Sequence, residues 1–410
     1  MHQRGLYRAI LLSTLLVVPL FIFVAPGAAG ALFGFVWALA PLWVPALFVA
    51  ILAPLWLLYV RSQYVASVRH TVLELKPGED TPKSARAMEL IFYSLYHRVE
   101  ITRLMMIAAG RVRLPWSFEI VAHAGKVRFF MRIPTSHRAA LEARIRSEYR
   151  DIDIDEVQDY ARTVPYNPLE MRLESREFRF TKPDPYPIKT YEEYESDKKP
   201  ESPLLNLLER LVSVGDAEYL MVSFMVRPHQ RERQRVWDEP IDTLHADAQR
   251  EIEQLVGPEG NPRALPEGKQ ELVNAIEAGL KKPSFDCGIR AVYLAERGAV
   301  RQQNIDTLDS LLSGFEATNR NGFEAFDART ALGWPLSDVA AAIPGFADWY
   351  MFNLYRRRAF FAPPYYGSAF VLNTAELATL FHLPHITRAS ALGRARGKRL
   401  EPPENLPVLA

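Results

Sequence analysis

Between Ala9 and Val60 the chain contains no Asp, Glu, Lys, Arg or His. A bilayer's hydrocarbon core is roughly 30 Å thick and takes about 20 apolar residues as a helix. The run is therefore too long for one span and fits two. Its only Gly-rich turn signal is Pro26-Gly27-Ala28-Ala29-Gly30, which predicts helices near 8–28 and 33–59. Trp37, Trp43, Trp56 and Tyr59 are candidate interfacial aromatics. Pro19, Pro41, Pro45 and Pro54 are tolerable in a membrane helix. A cleaved signal peptide is the competing reading, but it accounts for the first apolar run and not for the second, longer one. Arg4 and Arg8 precede the run, Arg61, Arg69 and His70 follow it, and the turn is uncharged. The positive-inside rule then puts both termini and the large domain in the cytoplasm. The single cysteine, Cys287, excludes an internal disulfide framework and suits a reducing compartment.

Beyond Arg61 the sequence is ordinarily charged, and the whole chain has a formal net charge of +1. The expected fold class is α+β: two N-terminal transmembrane helices, then two αβ lobes with antiparallel or mixed sheets and helices packed on them. The expected divisions are a transmembrane hairpin (1–62), a first lobe (63–182), a linker (183–203), a second lobe (204–386) and a basic, Pro-rich tail (387–410). In the first lobe, Thr81-Pro82 offers a helix start, with Met88, Ile91, Leu95 and Val99 at helical spacing. Trp116, Phe118 and Ile120, then Val127, Phe129, Met131 and Ile133, alternate about a turn at His123-Ala124-Gly125, a β-hairpin pattern. Leu141, Ile145 and Tyr149 form a helical stripe, and Ile152, Ile154 and Val157 a short strand. This order suits helices on one face of a sheet. In the second lobe, Leu204 to Leu211 reads as a helix and Tyr219 to Val226 as a central strand. Helices near 231–256 and 269–281 precede a buried strand, Phe285 to Ala295, and Ile305 to Phe315 is another helix. Phe370-Val371-Leu372 then leads to Asn373 and Glu376 at capping-box spacing.

The chemistry tests are mostly negative. No G-x-x-x-x-G-K-[ST] loop occurs, so the chain lacks the usual cradle for nucleotide phosphates. Asp151, Asp153 and Asp155 mimic the start of a calcium loop, but Glu156 and Arg162 stand where it needs Gly and Glu. A solvated strand edge fits them better. His382 and His385 lack companion ligands, and Cys287 sits in a buried-looking strand. Neither a Gly-x-Ser-x-Gly elbow nor a zincin motif occurs. No catalytic residue, cofactor or metal is expected. Two basic clusters remain: Arg356, Arg357 and Arg358, and a tail holding Arg394, Arg396, Lys398 and Arg399. These are the candidate phosphate or lipid contacts. A plain solvated surface is the alternative.

Several segments resemble the region ahead of the motor in membrane-anchored bacterial proteins related to the coupling ATPases of type IV secretion and conjugation. They are Trp116 to Ile133, Ser147-Glu148-Tyr149 to Asp159-Tyr160, Leu204 to Pro228 with Trp237, Phe285 to Ala295, and Phe370 to Pro384. Glu401 to Pro407 resembles the stretch just before the motor. The resemblance implies a bacterial cytoplasmic-membrane component of a DNA- or protein-translocating system. In longer family members a RecA-fold motor follows. Here the sequence stops at Ala410, so ATP hydrolysis does not carry over; the expectation is a separate motor polypeptide or a paralogue that lost it. The expected function is a non-enzymatic membrane anchor and assembly module working with that motor. Expected partners are the lipid bilayer, the motor ATPase and other secretion-system subunits, with nucleic acid and a second copy of the chain as further options. A membrane-anchored scaffold unrelated to transport is the alternative.

Overall fold

The alternation from Trp116 to Ile133 forces two strands, because only a period of two sends every large apolar side chain to the same face. The computed structural model describes residues 26–78, 85–96, 101–149, 151–196, 202–230, 243–257, 265–317, 319–332 and 336–383. The chain divides into two compact units between Val60 and Arg61.

In the first unit, Pro26 to Gly30 is not the expected turn but helical, part of Pro26–Ala38. A second helix, Ala40–Ser67, has 28 residues and continues past Arg61. The break at Leu39 comes just before Pro41, which cannot donate the next helical hydrogen bond. Among the described residues, Ala40–Ser67 alone is long and apolar enough to cross a membrane. The two-span expectation is corrected accordingly: Pro26–Ala38 has 13 residues, short of the length a span needs. Most of the first expected span, near 8–28, lies outside the described residues.

Among the described residues, the second unit is built on eleven strands: β1 (His70–Pro77), β2 (Trp116–His123), β3 (Lys126–Pro134), β4 (Ile152–Val157), β5 (Met171–Phe180), β6 (Glu218–Pro228), β7 (Ser284–Glu296), β8 (Phe323–Asp327), β9 (Phe361–Ala362), β10 (Tyr365–Tyr366) and β11 (Phe370–Asn373). Nine form one antiparallel sheet, eight in the order β4-β1-β3-β2-β6-β7-β5-β8 with β11 added beside β7, while β9 and β10 make a separate small hairpin. The long β7 pairs with β5 through Arg290–Glu296 and with β11 through Ser284–Cys287. The sheets of two separate lobes are not found: β2 of the first segment pairs with β6 of the second from Trp116↔Val226 to His123↔Tyr219. Long, doubly buried strands cover each other best in a single sheet.

Helices cover both faces of this sheet, not one. Phe118, Ile120, Val222, Phe224, Ile289 and Ala291 line one core, beneath helices that include Ala85–Leu95, Arg138–Glu148, Pro203–Leu211 and Thr374–Leu380. Val121, Met221, Met225 and Val292 line the other, beneath Phe346–Arg357. The expected stripes are buried, with Met88, Ile91 and Leu95 on Ala85–Leu95, Leu141 and Ile145 on Arg138–Glu148, and Tyr149 just past its end. The Thr81-Pro82 start, Val99 and the stretch 231–242 lie outside the described residues.

The capping box forms as its spacing predicts: Asn373 accepts from Glu376 N–H, and Glu376 accepts from Asn373 N–H at 2.8 Å. It also holds the supposed linker. Ile188 N–H donates to Glu376 at 2.8 Å and Tyr191 N–H to Thr379 Oγ1 at 2.8 Å, so 188–191 is strapped to the core. Burial, more than the neighbouring backbone N–H groups can offset, raises the Glu376 pKa from 4.5 to about 7. The folded state therefore keeps this proton longer than the unfolded chain does. The stability it confers is complete below pH 4.5 and is lost as pH rises through about 7. Half-buried His70 and buried His382, both lowered to about 4, act in the opposite sense. A difference measurement isolates Glu376. The wild-type Tm minus that of Glu376→Gln is predicted to fall between pH 5 and pH 8; a pH-independent difference contradicts the assignment.

Candidate functional site

Four polar residues occupy one cross-strand row in the middle of the sheet. Glu119 on β2 faces Ser223 on β6, Ser223 faces Arg290 on β7, and Arg290 faces Glu177 on β5. All four are buried. Buried charge is costly unless matched and hydrogen-bonded, and two pairs do the matching. Arg290 donates from Nε and Nη2 to Glu177 Oε1 at 3.0 and 2.6 Å, and Tyr365 OH donates to Glu177 Oε2 at 2.9 Å. Arg358 meets Glu119 as a fork, Nε to Oε1 at 2.8 Å and Nη2 to Oε2 at 2.9 Å. Ser117 and Tyr160 hydroxyls complete the Glu119 shell. Arg358 also reaches Asp159 at 2.8 Å, and Tyr160 shares a 2.7 Å bond with Tyr355.

Burial would raise Glu119, but the charge and hydrogen bonds of Arg358, with those of Ser117 and Tyr160, hold its pKa below the usual carboxylate range. Burial opposes the charge of Arg358, yet Glu119 and Asp159 keep it firmly protonated. Arg132, opposite Ser117 on β3, adds a third guanidinium. Burial and then the charge of Arg358 lower its pKa to about 10, while Glu119 and Asp159 favour its charged form.

Arg358, Phe360 and Tyr365 all come from one cap, the helix Phe346–Arg357 and the β9–β10 hairpin after it. Arg358 sits at the helix end with φ 49 and ψ 39, the left-handed region where glycine is usual. No glycine could reach Glu119. Phe360 packs between two glycines: a Cβ on Gly288 of β7 would fall 2.1 Å from its ring, and one on Gly367, just after β10, 2.4 Å. The row is thus sealed by side chains of the cap, and each of its carboxylates is held by an arginine.

A second cluster lies at the end of β6 and β7. Asp286 accepts from Arg227 Nε at 2.8 Å and bonds His229 Nδ1 at 2.5 Å, with Arg113 3.4 Å away. Burial opposes its ionisation, but His229, Arg227 and Arg113 keep its pKa low. Among the described residues, the buried His229 Nε2 has no hydrogen-bond partner. Elsewhere an open groove is lined by Arg86, Glu89, Tyr93, Tyr191 and Lys282. Its charges are paired along the rim, Lys282 with Glu89 and Glu192, each at 3.1 Å. Among the described residues, no group of three or more His, Cys, Asp or Glu could hold a metal ion.

The sequence-predicted contacts are not one basic patch. Arg358 is buried on Glu119, and Arg356 donates to the Ala161 and Val164 carbonyls at 2.9 Å each. Only Arg357 of the three is exposed. Arg394, Arg396, Lys398, Arg399 and His385 lie outside the described residues. His382 is buried and hydrogen-bonded to Ala378 O, and Cys287 is buried in β7. The acidic run forms the edge strand β4, where Asp155 pairs with Lys76 at 2.7 Å. Sequence reasoning missed the row altogether. The available signal was charge inside strands otherwise apolar on both faces: Glu119 in β2 and Arg290 in β7.

Removing one partner of a buried pair costs about 3–5 kcal/mol. Arg358→Met is predicted to lose stability on that scale in unfolding of the full chain in detergent. Adding Glu119→Gln should recover part of the loss, since it removes the stranded charge. Wild-type stability of Arg358→Met contradicts the role given to this pair.

Residues 63–390 match a family described as "Domain of unknown function (DUF8128)". No curated protein matches the chain.

Proposed function

The chain belongs to the DUF8128 family, and we propose that it is a non-enzymatic membrane anchor and assembly module of a type IV secretion- or conjugation-like translocation system. The observation that carries this reading is the direct join of an apolar helix to a rigid, sealed sheet. Ala40–Ser67 is followed within three residues by β1, which is buried in the second unit's sheet between β3 and β4. The chain thus passes from the helix into the sheet, next to its β4 edge, with only Val68 and Arg69 between the two elements. The polar row supports an architectural role, because its charged groups answer one another and are closed off by the cap.

The translocation part of the proposal draws on the sequence resemblance. Its segments include β2, β3, β6, β7 and β11, which are neighbours in one sheet, so the likeness follows the structural centre of the domain. On this reading the span sits in a bacterial cytoplasmic membrane. Arg61 and Arg69 mark the cytoplasmic side, and a separate motor ATPase is the principal partner.

The test is purification of the tagged full chain from native membranes after mild cross-linking. The proposal predicts retention in the membrane through an alkaline carbonate wash and recovery of a P-loop ATPase with it. Retention without any motor favours the scaffold unrelated to transport. Release by carbonate contradicts the anchor itself.

A further inference from the structure

One surface of the second unit is apolar where a soluble domain would be polar. Leu169, Ile343, Trp349 and Tyr366 are 83, 52, 48 and 59 % exposed. They come from separate parts of the chain, yet short contacts link them. Pro168, next to Leu169, lies against Gly345, where an added Cβ would be 3.3 Å from its side chain. Gly345 opens the helix Phe346–Arg357, and Phe346 packs on Trp349 and Tyr350 with ring centroids 5.8 and 6.0 Å apart. Tyr350 OH donates to Pro364 O at 3.3 Å, which ties the helix to the β9–β10 hairpin. Tyr366 on that hairpin accepts from Arg61 Nη1 at 3.4 Å.

That last contact identifies the occupant. Arg61 is the first charged residue after the apolar run, so if Ala40–Ser67 crosses a membrane, Arg61 stands at the headgroup level. A residue within hydrogen-bonding distance of Arg61 is at the bilayer surface too. Aromatic rings with a polar edge, such as Trp349 and Tyr366, favour that layer. The charge around the patch agrees. Arg297, bonded to the Pro168 and Leu169 carbonyls, and exposed Arg357 border it alongside Arg61. Of the carboxylates on these segments, Asp348 is held by Arg329 at 3.1 Å, while Glu170, Glu296 and Asp338 offset part of the positive charge.

We propose that this face, Leu169, Ile343, Phe346, Trp349 and Tyr366, rests on the anionic surface of the membrane that the chain's own helix spans. The inference rests on the anchor reading above and adds a second attachment to it. An apolar helix fixes where the domain is; a second contact fixes how it is turned. The cap that seals the polar row is then also the part of the domain that lies on lipid.

The experiment uses the full chain with Cys287→Ala, carrying an environment-sensitive fluorophore at Ile343→Cys or Trp349→Cys. Gln303→Cys, exposed on the helix Gln302–Asp309 over the other sheet face, is the control. Each protein is reconstituted into vesicles of phosphatidylcholine alone or with phosphatidylglycerol, with or without nitroxide-labelled lipid. The expected result is a blue-shifted emission at 343 and 349 that nitroxide lipid quenches, stronger with phosphatidylglycerol and weakened by Arg357→Ala. The control should show neither. A blue shift without lipid quenching means that protein covers the face, and overturns the proposal. Emission equal to the control overturns it as well. Flotation separates the two readings: a chain that floats with dry-face probes absent loses only the docking, and one that does not float loses the anchor too.

Discussion

A carboxylate in the middle of a central strand, with no exposed surface, has to be answered by a cation brought from elsewhere in the chain. Glu119 is answered by Arg358, from the far side of the sequence, and the architecture of the second unit follows from that. The helix Phe346–Arg357 has to end where its last side chain can fork onto Glu119, and Arg358 accepts a left-handed backbone to do so. The hairpin after it brings Tyr365 to Glu177, and Phe360 fills the space left by Gly288. Buried ion pairs are rarely the most stabilising option; their best-attested use is to specify one arrangement. Here the arrangement specified is the seating of the cap.

On the anchor reading proposed above, specified seating has a use. The cap contributes the exposed aromatics near Arg61 as well as the buried groups of the row, so the polar pairs also set the position of the surface proposed to meet lipid. The strap Ile188–Tyr191 does the same on the opposite face by tying the helix Thr374–Leu380 to the segment between strands β5 and β6. Both faces are thereby closed by segments remote in sequence, which gives a domain suited to holding a fixed shape.

The parts of this fold that depend on neighbours in sequence could be read from the sequence. The β2–β3 hairpin, the central strands β6 and β7 and the capping box at Asn373 are all set by local alternation or spacing. β5 was not legible, because Arg172, Glu174, Arg176 and Glu177 make it look like a polar connector; their partners Asp309, Arg329 and Arg290 lie far along the chain. β1 was hidden between the apolar run and the next helix. The arginine triplet looked like a surface patch since nothing local shows that Arg358 has Glu119 to meet. The same limit explains the two-lobe expectation: a polar stretch between lobes and a polar stretch strapped to one core read alike until Glu376 and Thr379 are seen to hold it.

The central claim is that the cap is a fixed part of the domain and not a lid over a working site. Hydrogen exchange on the full chain in lipid nanodiscs tests it most directly. The account predicts that amides of 346–358 and of the β9–β10 hairpin exchange with β2, β6 and β7 as one cooperative unit. Exchange of the cap far faster than those strands would contradict it, and would make the row of Glu119, Arg290 and Glu177 a site that opens.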